Sequence, residues 1–234
     1  MAMNEPFSVL YEDNHLLIVN KAPGILVQGD ATGDVPLAEL CKPYIKEKYN
    51  KPGAVFLGVV HRLDRPVSGI VVLARTSKAL ERMNKLFKER ETHKVYYAIV
   101  SKKPPQEEAT LVHWLVKDEK KNKTTAYSRE TNSALRSELT YSVVAYQRSA
   151  WLLKVEPITG RPHQIRVQLS AIGCPIKGDV KYGDATPNSD GSIYLHAGAL
   201  SFVHPVKKEQ LEVKAPFRNY GLWNDFRNFI ISKS

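Results

Sequence analysis

The stretch HRLDRPVSG, residues 61–69, places one acid, Asp64, between Arg62 and Arg65, with aliphatic runs on both sides. In extended chain Arg62 and Asp64 point the same way while Leu63 points into the core. Pro66 presets a turn, and Ser68-Gly69 releases the chain into the next run. A carboxylate shown at the mouth of such a turn, with guanidinium groups beside it, suits a nucleophile better than a general acid. The same residues also describe a salt-bridged structural turn. Spacing alone favours that reading, because ion pairs of this kind are common on protein surfaces.

Two further clusters carry chemical groups. In EPITGRPHQIRVQLSAIG, Thr159-Gly160 ends a strand and Arg161-Pro162-His163-Gln164 opens a helix over 163–173. Arg161, Gln164 and Arg166 then gather at a helix N-terminus, where backbone N–H groups favour anions. His163, Arg166 and Val167 share one face of that helix, so Arg166 is partly turned towards the protein and needs a carboxylate, for which Asp64 is a candidate. An ordinary strand–helix junction with a basic start accounts equally well for the local pattern. In HKVYYAIV, Tyr96 and Tyr97 fall on opposite faces of a strand, and a lone strand tyrosine usually serves packing.

Other chemistries lack their residues. There is no Gly-rich phosphate loop, no GxSxG elbow, and no cysteine in a nucleophile motif. HRLD differs from the kinase catalytic loop by its inserted leucine, and no DFG accompanies it. The seven histidines are scattered, and Cys41 and Cys174 are too few for a cysteine-rich zinc site or a disulfide framework. These features predict no cofactor and no metal. A formal charge of +10 predicts a polyanionic partner, although a basic surface kept for solubility fits as well. No apolar run approaches the roughly 20 residues that cross a bilayer, and the N-terminus lacks signal-peptide character. A cytoplasmic protein that does not engage membranes is the expectation.

The elements that must position these groups are readable from periodicity. Strands are predicted over 7–11 and 16–20, with the KAPG turn closing them, and helical spacing over 37–49 is interrupted by Pro43, which should kink or split it. Aliphatic runs over 55–60 and 70–74 flank HRLDRPVSG. The cleanest helix follows Thr76 or Ser77 as N-cap, with Leu80, Met83, Leu86 and Phe87 as its stripe. KVYYAIV is a strand, 102–109 a loop, and 117–128 a lysine-rich hairpin tip. Residues 137–158 make two strands around QRSA, and a short helix ends the chain. The fold class is α+β, with a mainly antiparallel sheet core and flanking helices, in a single domain over 1–234.

HRLDRPVSGIVVLART resembles the signature of RNA pseudouridine synthases of the RluA family: H-R-L-D, a basic residue, two variable positions, then S/T-G. Further segments are similar to that family in the same order: LYEDNHLLIVNKAPGILV, KVYYAIV, ITGRPHQIRVQLSAIGCPIKGDVKYG and LHAGALSFVHP. The resemblance implies the pseudouridine synthase catalytic fold, and because the family-like pattern begins near residue 7, no S4-type RNA-binding extension is expected. It makes Asp64 the catalytic aspartate, Tyr96 the active-site tyrosine, and Arg166 the arginine that pairs with the aspartate. Arg62 matches the arginine that helps displace the target nucleotide, and His61, Arg65, Arg161, His163 and Gln164 are the remaining RNA-binding candidates. PVSG departs from the commoner D-T-S-G turn ending and leaves the RNA open between ribosomal and transfer RNA.

The implied reaction converts uridine in structured RNA to pseudouridine, with RNA as partner, no cofactor, and a monomeric enzyme. Asp64 either attacks C1′ or removes the 2′ proton. One rival is a non-catalytic RNA-binding or chaperone protein on the same fold, which would not need a carboxylate aimed at RNA. Another is a uracil glycosylase, which would want a second acid or a positioned water near Asp64.

Overall fold

The computed structural model describes residues 5–30 and 32–231, so the first four residues of the N-terminal stretch lie outside it. In chain order it contains β1 (Phe7–Glu12), β2 (Leu16–Lys21), α1 (Leu37–Lys48), β3 (Gly58–Val59), β4 (Ser68–Ala74) and α2 (Ser77–Glu89). There follow β5 (Thr92–Val100), β6 (Glu108–Asp118), β7 (Lys123–Tyr127), β8 (Leu135–Gln147), β9 (Ala150–Pro157) and α3 (Gln164–Ala171). A 3₁₀ turn at Val180–Tyr182, β10 (Leu195–Val203), β11 (Gln210–Lys214) and α4 (Leu222–Ile231) complete the described chain, an α+β protein with antiparallel pairing. It divides into two compact units, Met1–His93 with Ala197–Pro216, and Lys94–His196 with Phe217–Ser234.

In the first unit β1 pairs with β2, β2 with β4, and β10 follows, with β11 beyond it. The β1–β2 turn is held by Asp13, whose Oδ1 accepts the amides of His15 and Leu16 at 2.8 Å each. Every residue of β4 is buried, as are all of β2 except Asn20. Their register pairs Leu16 with Ala74 and Lys21 with Gly69, so Lys21 enters the core at the level where the HRLDRPVSG segment ends. Gly69 has φ +116°, and a Cβ there would lie 2.3 Å from the carbonyl oxygen of Ala197 on β10, so only glycine fits.

Three expectations change. The run over 55–60 forms a ladder only at Gly58–Val59; Val55 and Leu57 are buried without strand pairing, and the chain leaves the sheet at His61. Pro43 does not split α1, which stays continuous because Leu37, Ala38, Cys41 and Ile45 bury one stripe spanning the proline. The helix expected from 163 starts at Gln164, since His163 is left-handed with φ 55°. By contrast Thr76 caps α2 as its type predicts, its Oγ1 accepting the Ala79 amide at 3.1 Å.

The second unit is an antiparallel sheet in the order β5-β9-β8-β6-β7. β6 and β7 form the hairpin carrying the lysine-rich tip, and β8 and β9 are the pair expected around QRSA. The helix α3 has Gln164 to Leu169 buried in succession, so its polar side chains must find partners inside the protein. Among the described residues no helix is long and apolar enough to cross a membrane.

Candidate active site

The first unit builds a turn around Asp64. The Asp64 carbonyl accepts the Val67 amide at 3.0 Å, while buried Leu63 and Val67 fix the turn from below. Arg62 and Arg65 are exposed and Asp64 is half-buried. The KAPG segment grips the turn from the side. The Gly24 amide donates to the Arg65 carbonyl at 2.7 Å, and Arg65 Nε donates back to the Gly24 carbonyl at 3.0 Å. Arg65 also pairs with Asp34 at 2.7 Å, both side chains being about half exposed.

Behind the turn lies Lys21, 1% exposed. Its Nζ donates to the carbonyls of Ala22 and Ile25 at 2.9 Å each and of Arg65 at 3.3 Å. Burial pushes its pKa from the usual lysine range down to about 7; the Asp64 carboxylate raises it and Arg65 lowers it further. Sequence reasoning read KAPG as a turn inside a family-like segment and gave Lys21 itself no part. The available signal is a lysine at the end of LLIVNK, a run too apolar for a surface strand.

His61 sits at the base of the same turn. Its Nε2 accepts the Val72 amide at 3.2 Å and its ring stacks on Phe87, with centroids 4.7 Å apart. The α2 stripe therefore shapes the segment leading to Asp64: Phe87 takes His61, and Leu80 fills the space beside Gly58.

The second unit carries the other candidates. On β5 Tyr96 is half-buried opposite Val155, and Tyr97 is buried on the other face with its ring edge-on to Phe217 at 5.3 Å. The TGRPHQ corner closes on itself. Thr159 Oγ1 donates to Gln164 Oε1 at 2.7 Å, the Arg161 amide donates to the same oxygen at 2.9 Å, and Gln164 Nε2 donates to the Glu138 carbonyl at 3.0 Å. Gln164 thus ties the strand–helix corner together, presenting Arg161 half-buried beside it.

Arg166 is 5% exposed and is held by a carboxylate that sequence reasoning did not single out. Its Nε donates to Asp179 Oδ2 at 2.7 Å and its Nη2 to Oδ1 at 2.9 Å, a two-point grip in which Asp179 is 1% exposed. The guanidinium also lies over the ring of Tyr182, 5.0 Å from its centroid. The Tyr182 hydroxyl accepts the Thr124 amide at 2.9 Å and stands 2.6 Å from His163 Nδ1. The left-handed conformation of His163 turns its ring to that hydroxyl instead of along the helix.

The structure thus gathers His61, Arg62, Asp64 and Arg65 in one unit, and Arg161, His163, Gln164 and Arg166 at one corner of the other, with Tyr96 on β5. This arrangement offers a carboxylate on a rigid turn, a buried amine behind it, and a separately buried, oriented guanidinium.

The pattern that defines RNA pseudouridylate synthases matches residues 15–171, which include Asp64, Tyr96 and Arg166. The chain belongs to the RNA pseudouridylate synthase family. A relative in this family, the ribosomal large subunit pseudouridine synthase C of Vibrio cholerae, is 33% identical over 221 residues, which are 89% of this chain and 65% of the relative. The protein of that name from Salmonella typhimurium is 33% identical over 221 residues, covering 90% of this chain and 66% of its own length. The chain therefore spans about two thirds of these relatives. Among solved structures, human RNA pseudouridylate synthase domain containing 4 superimposes with a TM-score of 0.78 at 24% identity, covering 95% of this chain and 93% of that one. Human RNA pseudouridylate synthase domain containing 1 gives 0.70 at 24% identity, covering 93% and 86%. Both share the fold of this pseudouridylate synthase family member.

Proposed function

We propose that this protein isomerises specific uridines in structured RNA to pseudouridine, with Asp64 as the essential group. The observation that carries the reading is the turn itself: Asp64 is displayed at its head, locked by KAPG, with the buried Lys21 amine behind it. Membership of the pseudouridylate synthase family supports it, and the names of the relatives favour ribosomal RNA over transfer RNA.

In this reaction the bond from ribose C1′ to uracil N1 breaks, the base turns, and C5 bonds to C1′. C5 loses its proton and N1 gains one, so nothing is consumed. A uridine within RNA structure must first leave its stack, at a cost of a few kcal/mol. Arg62, exposed beside Asp64, is the group proposed to fill the vacated place. Asp64 acts on the sugar, by attack at C1′ or removal of the 2′ proton. Tyr96 stacks on the base. Arg166 is proposed to serve the reaction as an oriented cation, through the edge of its guanidinium away from Asp179.

Arg65 and Arg161 are the proposed phosphate contacts. Arg161 Nε is buried with no hydrogen-bond partner among the described residues, which leaves a donor for RNA. His61, His163 and Gln164 serve RNA binding through the segments they hold. Cys41 and Cys174 are free, buried thiols suited to a reducing compartment, and a cytoplasmic monomer is proposed.

The test is tritium release from unmodified transcripts of ribosomal and transfer RNA carrying uridine tritiated at C5. The wild type should release tritium from one of them, while Asp64→Ala and Asp64→Asn should release none and still bind the RNA. Undiminished release by Asp64→Ala would overturn the assignment.

A further inference from the structure

We propose that Asp179 and Tyr182 are positioning residues for this isomerisation, acting through Arg166; the inference rests on the reading that Arg166 takes part in the reaction. A buried ion pair is a poor device for stability, because the cost of desolvating both charges can exceed their mutual attraction. Arg166 and Asp179 are 5% and 1% exposed, so that cost is met in full. What the pair provides is direction. Asp179 takes the Nε–Nη2 edge of the guanidinium, which sets its rotation in the plane. The Tyr182 ring against one face sets its tilt. With plane and rotation fixed, the direction of the remaining edge follows. A lysine would supply the charge without that direction.

Tyr182 is anchored well enough to serve as the support. Its hydroxyl is held by the Thr124 amide and His163, and its carbonyl accepts Ser170 Oγ at 2.5 Å. Its ring packs in a cluster with Leu115 and Val167. Asp179 is held by its backbone, its amide donating to the Ile176 carbonyl at 3.0 Å and its carbonyl accepting the Tyr182 amide at 3.0 Å. The two supports of the guanidinium are therefore bonded to each other. Gly178 permits this turn: it has φ +86°, and a Cβ there would come within 2.8 Å of the Ser192 carbonyl oxygen.

The experiment compares single-turnover tritium release with binding to the same C5-tritiated ribosomal and transfer RNA transcripts. Asp179→Asn and Tyr182→Leu should slow release by about 10–100-fold, the usual consequence of misplacing a reacting group by about an ångström, with RNA affinity unchanged. The double variant Arg166→Lys with Asp179→Asn should be no slower than Arg166→Lys alone, because Asp179 acts only through the arginine. If Asp179→Asn does not fold, Tyr182→Phe keeps the ring and removes the hydroxyl, and should slow release less than Tyr182→Leu does. Folded variants that turn over at the wild-type rate, or that lose rate in proportion to RNA affinity, would overturn the positioning role alone. A further slowing of the Arg166→Lys enzyme by Asp179→Asn would overturn it too. A wild type that releases no tritium from any transcript would overturn the synthase reading instead.

Discussion

Lys21→Met isolates the effect of a buried ammonium under the Asp64 turn. Methionine is close to lysine in length and carries no donor, so the carbonyls of Ala22 and Ile25 lose the hydrogen bond that Lys21 gives them. The Arg65 carbonyl keeps the Gly24 amide. An orphaned buried carbonyl costs about 1–3 kcal/mol, and relief from burying the amine returns part of it, so the variant should be about 1–3 kcal/mol less stable at pH 7. Its melting temperature should fall by about 2–4 °C per kcal/mol for a chain of this size.

The pH dependence is more diagnostic. With a folded pKa of about 7 against 10.5 for the free side chain, Lys21 is charged in both states below pH 7 and adds no slope there. Between those values the unfolded chain keeps a proton that the folded protein has released. The unfolded state then binds more protons, and wild-type stability rises with pH by up to about 1.4 kcal/mol per unit. The substituted methionine has no such proton. The stability gap between wild type and Lys21→Met should therefore widen by about 2 kcal/mol from pH 7.5 to 9, read from urea unfolding with equal m-values. A gap that stays constant with pH would mean that the carbonyl cage holds the proton against burial, and the reasoning would fail.

Arg166→Ala should cost about 3–5 kcal/mol in chemical unfolding, because Asp179 would remain buried without its partner; an unchanged midpoint would refute the pair. Burial would raise the Asp13 pKa, but the amides of His15 and Leu16, with Lys207 and Tyr11, bring it down to about 2. Its stabilisation is present above the free carboxylate pKa of 3.8 and is lost as pH falls towards 2. With solvent screening allowed for, Asp13→Asn should cost about 1–2 kcal/mol at pH 7 and almost nothing near pH 2, as urea unfolding at the two pH values would show. Gly69→Ala should cost more than about 3 kcal/mol, through strain at φ +116° and collision with Ala197, which thermal melting would register at once.

The Asp64 turn was legible because its signals are local: Pro66, Ser68-Gly69 and the aliphatic flanks lie within a short stretch of chain. The helix α2 was legible for the same reason, its cap and its stripe being contiguous. Lys21 was not, because its burial follows from the β2–β4 register, which sets it opposite Gly69. Local sequence shows a lysine followed by a turn, and only the pairing puts that lysine under Arg65. Asp179 was hidden for a related reason. It lies well beyond α3 in sequence, and the need for a second carboxylate emerges only once Arg166 proves buried along with the rest of the helix. The irregular chain after QIRVQLSA has no periodicity that would turn one of its acids back towards the helix, so Asp64 is the partner that the motifs alone suggest.

The bond from the Gly24 amide to the Arg65 carbonyl makes one hydrogen atom a reporter on the Asp64 turn. A displacement of the Arg65 backbone to admit RNA must stretch that bond, and the freed amide then trades its hydrogen with solvent. Deuterium uptake at Gly24 would therefore time the opening of the Asp64 turn directly, without a labelled substrate. Bound RNA that presses the turn onto KAPG should slow that uptake, and RNA that lifts it away should speed it.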